Sequence, residues 1–239
     1  MARHRTPVRS TVRSTARTTS GAGARPSRVW LAGAVAGATV GGLLAMVAVV
    51  AGPAQAGVAI PVSCTEKVVL EWDDVSYDLQ GTCGVVVVRA SGTTVDVPAS
   101  RKLVVRGHDN TVVARPGDRL LVRGHDNHVR MTSTRVLDAA SPGSVVSIDG
   151  LVEEGRVSGR GLTLRARQVS DLRLAGRGHD VAARRGYDAR VPGDGSRVRF
   201  RRLDTLGLSG DHNTVVVRRR ATTVRDHGDD NTVRVHRRR

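Results

Sequence analysis

A six-residue theme returns along this chain at nearly constant spacing, and the spacing constrains the fold more than any other feature. Gly107-His108-Asp109-Asn110-Thr111-Val112 has counterparts in Gly124-His125-Asp126-Asn127-His128-Val129, Gly210-Asp211-His212-Asn213-Thr214-Val215 and Gly228-Asp229-Asp230-Asn231-Thr232-Val233. With glycine as the anchor, further copies fall at Gly92, Gly143, Gly159, Gly176 and Gly193. Successive anchors are separated by 15, 17, 19, 16, 17, 17, 17 and 18 residues, a mean of 17. A fixed unit length of this size is the mark of stacked repeats.

The flanks of the anchors say what each unit is made of. Four and two residues before the glycine stand Leu103 and Val105, Leu120 and Val122, Leu172 and Leu174, and Leu206 and Leu208. Five and seven residues after it stand Val129 and Met131, Val198 and Phe200, Val215 and Val217, and Val233 and Val235. Alternation of period two on both sides of a Gly/Asn turn predicts two short strands per unit, each burying one face. Around Gly143 and Gly159 the pattern weakens, because Ser141 and Gly155 take inward slots, and a bulge or loop is expected there.

Hairpins would not require one length per unit, whereas stacked coils do, since each must return the chain to the same register. The expected fold is all-β, a parallel β-solenoid of about nine coils over 92–235, with a two-layer β-sandwich as the alternative. Only five aromatic residues exist, so the interior must be lined by Val, Leu and Ala. Asn110, Asn127, Asn213 and Asn231 recur in the turns, where stacked side-chain amides can form a hydrogen-bonded ladder from coil to coil.

Residues 1–28 carry seven Arg and no acid, an uncharged stretch runs over 29–52, and Ala54-Gln55-Ala56 offers an A-x-A cleavage site. This is the pattern of a secretory signal over 1–56; retained, the apolar run would be a single-span membrane anchor. Cleavage would lower the formal net charge from +16 to +9, since every acid lies beyond residue 56. In an exported chain Cys64 and Cys83 read as a disulfide, worth about 3 kcal/mol on the chain-entropy model. Residues 57–91, which match the repeat poorly, are expected to form a disulfide-stapled N-terminal cap. At the other end the last coil runs into a basic tail, 236–239.

The G-x-x-N-T-V turns between valine-rich strands, with a Cys pair ahead of them, resemble a family of secreted actinobacterial proteins of unknown function. The likeness covers roughly 83–239 and is strongest at 103–130 and 206–235. It implies export and brings no established activity, so no catalytic residue is carried over.

Three constellations offer chemistry. Arg115, Arg167, Arg184, Arg201 and Arg218 stand eight residues after an anchor, and Arg130, Arg165, Arg199 and Arg234 six after. Stacking sets like positions about 5 Å apart, within a Debye length of about 8 Å, which predicts a basic face for an anionic cell-envelope polymer or acidic polysaccharide. Nucleic acid is disfavoured because stacking aromatics are scarce. His108 and Asp109, one coil from His125 and Asp126 with His128 nearby, offer an alternative as a metal site. An enzyme acting on polysaccharide is the third reading, but only 131–158 has room for the long loop such sites use, and no nucleophile elbow or HExxH occurs. No cofactor is expected. The leading expectation is a non-enzymatic structural or binding module of the cell envelope.

Overall fold

The computed structural model describes residues 59–219 and 221–236; the expected signal segment 1–56 and Arg237–Arg239 of the basic tail lie outside the described residues. Seventeen strands follow one another, with no helix among the described residues. The first ten are short: β1 (Ile60–Ser63), β2 (Lys67–Leu70), β3 (Ser76–Gln80), β4 (Cys83–Val88), β5 (Thr94–Val97), β6 (Ser100–Val105), β7 (Thr111–Ala114), β8 (Gly117–Val122), β9 (His128–Met131) and β10 (Thr134–Ala139). Four long strands follow, each running through both sides of a coil: β11 (Val145–Val157), β12 (Thr163–Leu174), β13 (Asp180–Val191) and β14 (Arg197–Leu208). Three short ones close the series: β15 (Thr214–Val217), β16 (Thr223–Asp226) and β17 (Thr232–Val235).

Every pairing between these strands is parallel. The chain is therefore a β-solenoid, of about ten turns. At about 4.8 Å per turn the stack is roughly 45 Å tall. One inward column reads Tyr77, Val95, Val112, Val129, Val146, Leu164, Val181, Val198 and Val215, all buried. A second, on the other strand of each coil, reads Val86, Leu103, Leu120, Leu137, Gly155, Leu172, Ala189 and Leu206. Each fully buried Val or Leu contributes about 1.5–3 kcal/mol, so this narrow interior holds together without stacked rings.

The register of the turns differs from the glycine-anchored expectation at two rungs. Asp74, Gly92, Asp109, Asp126, Gly143, Gly161, Gly178, Gly195, His212 and Asp230 all have left-handed backbone, with φ between 54° and 67°. Gly92 and Gly143 thus belong with Asp109 and Asp126, two residues after the anchor. Ala90 and Ser141 take the anchor slot instead, and every interval becomes 17 or 18 residues. Glycine dominates the anchor because coils approach closely there: a Cβ on Gly210 would lie 2.2 Å from the Gly193 carbonyl oxygen. Between Ile148 and Leu151 the register shifts, the bulge expected near this rung. The 131–158 segment forms no long loop; β10 and β11 occupy most of it.

Coil geometry also extends further toward the N-terminus than the repeat pattern does. Ile60 pairs with Tyr77, which pairs with Val95, so β1 to β3 already stack in the solenoid register. The Cys64–Cys83 disulfide staples these first two turns, and Cys83 heads a corner column continued by Ser100, Gly117, Thr134, Val152, Val169, Gly186 and Leu203. A disulfide belongs to an oxidising, extracytoplasmic environment. Pro61 lies in the column of Asp78 and Asp96, where backbone N–H groups point to the N-terminal side, as the Thr94 N–H does toward the Val75 carbonyl. Proline there removes a donor that would face an edge with no partner strand among the described residues.

Candidate functional site

The turns carry a buried polar column. Thr93 and Asn110 each donate a backbone N–H to the side-chain oxygen one rung on: Thr93 to Asn110 Oδ1 at 3.0 Å, and Asn110 to Asn127 Oδ1 at 3.1 Å. The Asn110 and Asn127 side-chain amides donate the other way, to the anchor carbonyls of Ala90 and Gly107, both at 2.8 Å. Asn213 and Asn231 do the same to Gly193 and Gly210, at 2.8 and 2.9 Å. Ser144 accepts from the Asn127 N–H at 2.8 Å but has no amide to return, and Ser141 Oγ donates to the Gly124 carbonyl in its place. At Leu162 the series breaks, and it resumes with His179. That ring accepts the Leu162 N–H on Nδ1 at 3.2 Å and bonds the Ala175 carbonyl through Nε2 at 2.9 Å. These partners fix the neutral, Nε2-protonated tautomer. Burial is the main cause holding the His179 pKa below its ordinary value. This polarity is consumed by the fold, and of the four asparagines only Asn231, on the last rung, is partly exposed.

Outside the turn, the arginines do not all stack as the spacing suggested. Of those six residues after an anchor, Arg130, Arg165, Arg199 and Arg234 alternate with Ser147, Ala182 and Val216. They stand two rungs apart, about 10 Å rather than 5. Arg130 pairs with Asp149 at 3.0 Å and Arg199 with Asp180 at 2.7 Å. An outward row that skips every second rung is an ordinary solvated face.

The corner between the two strand segments of each coil is different. Ala166, Ala183 and Phe200 are in register, as are Gln168, Arg185 and Arg202, so Arg167, Arg184 and Arg201 stack between them. Phe200 pairs with Val217, and the Arg218 and Arg219 N–H groups bond Phe200 and Arg201 carbonyls at 3.1 and 2.9 Å. Four consecutive rungs therefore present Arg167, Arg184, Arg185, Arg201, Arg202, Arg218 and Arg219, all exposed. Among the described residues none of the seven has an ion pair. Arg219 above all, with Arg202, Arg184 and Arg185, pushes the Arg201 pKa below its ordinary value. A hollow of about 390 Å³ lies between Arg167, Gln168, Arg184, Arg185, Arg201 and Arg202. Arg115 shares this edge but is separated from Arg167 by Thr132 and Asp149. Arg185, Arg202 and Arg219 were missed by counting single positions from the anchor; the Arg-Arg pairs at 184–185, 201–202 and 218–219 were the available signal.

His108 and His125 stack face to face, with centroids 4.9 Å apart and planes 1° from parallel. Each Nδ1 is engaged by the adjacent carboxylate, Asp109 at 3.1 Å and Asp126 at 3.0 Å. His128 stands elsewhere, in the column of Thr111 and Val145. Parallel rings with their Nδ1 atoms already occupied do not converge on one ion. Among the described residues no group of three or more His, Cys, Asp or Glu is placed to hold a metal.

What the fold and this edge define is a disulfide-stapled parallel β-solenoid with an arginine-lined corner. Compared with protein-family models, curated proteins and solved structures, the chain finds no match in any of the three.

Proposed function

We propose that this is an exported, non-enzymatic module of the cell envelope that holds an anionic polymer, such as an acidic polysaccharide or a phosphate-rich wall polymer, against the arginine corner. The observation that carries the reading is the run of seven guanidinium groups on four consecutive rungs with no carboxylate partner among the described residues. Rungs about 4.8 Å apart lie well inside the Debye length of about 8 Å, so these charges repel one another until an anion neutralises them. A flexible polyanion lying along the stack does so at every rung. The disulfide, the basic-then-apolar start of the sequence and its resemblance to secreted actinobacterial proteins support export as part of the same proposal.

Binding to immobilised heparin and to a polyuronate, followed across a salt series, tests this. The expected result is retention that weakens steeply as salt rises and a marked loss in an R184Q/R201Q/R202Q variant. Equal retention of that variant and the wild-type chain would refute the assignment.

A further inference from the structure

On the other strand segment of each coil, a second column passes through Val104, Leu121 and Asp138 and ends on five rungs that read Arg156, Arg173, Arg190, Gly207 and Arg225. Of these five rungs four hold arginine and one holds glycine. Nothing in the fold calls for that glycine. Its φ lies outside the left-handed range, and a Cβ built on it meets no atom of the described residues within 4 Å. Glycine inside a strand is less stable than alanine, so Gly207 is a loss to stability with no packing return. What it does is leave a notch in the arginine row.

The notch opens into a hollow of about 600 Å³, bounded by Arg173, Arg190, Arg225, Thr205 and His227. Asp188 is the carboxylate lining it, and it already bonds Arg190 at 3.0 Å. Among the described residues Arg173 and Arg225 have no ion pair. Three guanidinium groups and one carboxylate thus surround the bare backbone of Gly207. Arg190 and Arg225 straddle the gap two rungs apart, about 10 Å between their backbones. Charge-assisted bonds of about 2.8 Å on opposite sides of a tetrahedral oxyanion hold the donor nitrogens roughly 8 Å apart, a span these long side chains close by leaning inward.

We propose that the Gly207 notch binds a single tetrahedral oxyanion, a phosphate or sulfate group, clamped between Arg190 and Arg225. This site takes one group rather than a chain, lies on a different outward column from the arginine corner, and does not depend on the polymer reading.

Calorimetric titration of the full chain with inorganic phosphate and, separately, with sulfate, at constant ionic strength in chloride, tests it. The wild-type chain should bind at least one of the two anions at a single site, and the tighter one identifies the source. G207L, whose side chain fills the notch, and R225Q should each weaken binding at least tenfold, with G207L keeping its thermal midpoint within a few degrees. An R201Q/R202Q variant should bind as wild type does. The proposal is overturned if neither anion saturates the wild-type chain at millimolar concentration, if folded G207L binds unchanged, or if only the corner variant loses binding. Because polymer retention is measured separately, failure here leaves the corner reading standing, and failure there leaves this one.

Discussion

Asn127→Ala is the substitution from which the turn architecture can be judged most sharply. Asn127 is fully buried. Its Oδ1 accepts the Asn110 N–H at 3.1 Å, and its Nδ2 donates to the Gly107 carbonyl at 2.8 Å and the Arg123 carbonyl at 3.2 Å. Alanine removes both directions at once and strands a buried donor and a buried acceptor. At about 1–3 kcal/mol for each of the two unsatisfied groups, the loss should be about 2–6 kcal/mol. Asn127→Ser separates the two contributions. A serine oxygen can still accept the N–H, as Ser144 does for Asn127 and Ser196 does for His179, but it cannot return a donor to Gly107. Its cost should be about 1–3 kcal/mol, clearly below that of alanine. Urea unfolding followed by far-ultraviolet circular dichroism reads both values. An alanine variant within 0.5 kcal/mol of wild type, or a serine variant as costly as alanine, would refute the ladder as a source of stability.

The other expectations concern the core and its pH response. His179 is neutral in the folded chain, with its pKa below the unfolded value of about 6.5, so the unfolded state binds more protons as pH falls through that value. Its contribution is complete above about pH 6.5 and shrinks below it; His179→Asn, which supplies the same acceptor and donor, should flatten the stability-versus-pH curve between pH 7.5 and 5. Gly186→Ala should cost about 1–3 kcal/mol by overpacking, since its Cβ would lie 2.6 Å from Phe200 Cε1 and 2.8 Å from Leu203 Cδ1. Adding Phe200→Leu should recover part of that loss in the same unfolding assay.

The solenoid was legible because its causes are local and periodic. Inward Val and Leu at fixed offsets, and turn residues that tolerate left-handed backbone, both leave their mark on a single unit. Reading failed where one residue type serves two purposes. Glycine serves at the anchor for close approach, as at Gly210, and at the left-handed slot, which it shares with Asp and His, as at Gly92 and Gly143. Counting all of them as anchors displaced two rungs. The earliest turns were hidden because Tyr77 fills a slot held elsewhere by Val or Leu, so the coil continues where the pattern lapses. At the corner, Arg167, Arg184, Arg201 and Arg218 were found by offset alone, whereas their neighbours Arg185, Arg202 and Arg219 needed the bend between strand segments to bring them alongside. The alternation of Arg130, Arg165, Arg199 and Arg234 with small or apolar residues emerged only from the pairing register.

In the stacked coil each residue has its neighbour one full turn away, and a pair of introduced cysteines measures that directly. Val113 and Arg130 are exposed partners on adjacent parallel strands, about 4.8 Å apart, within the Cα separation of about 4.4–6.8 Å that a disulfide accepts. Val113→Cys with Arg130→Cys should oxidise readily to a second bridge, seen as a mass loss of two hydrogens and one new cross-linked peptide. Val113→Cys with Asp118→Cys, facing positions if the chain instead turned back as a hairpin at 115–116, should stay reduced. Bridging of the 113–118 pair with no bridge between 113 and 130 would contradict the stacked coil.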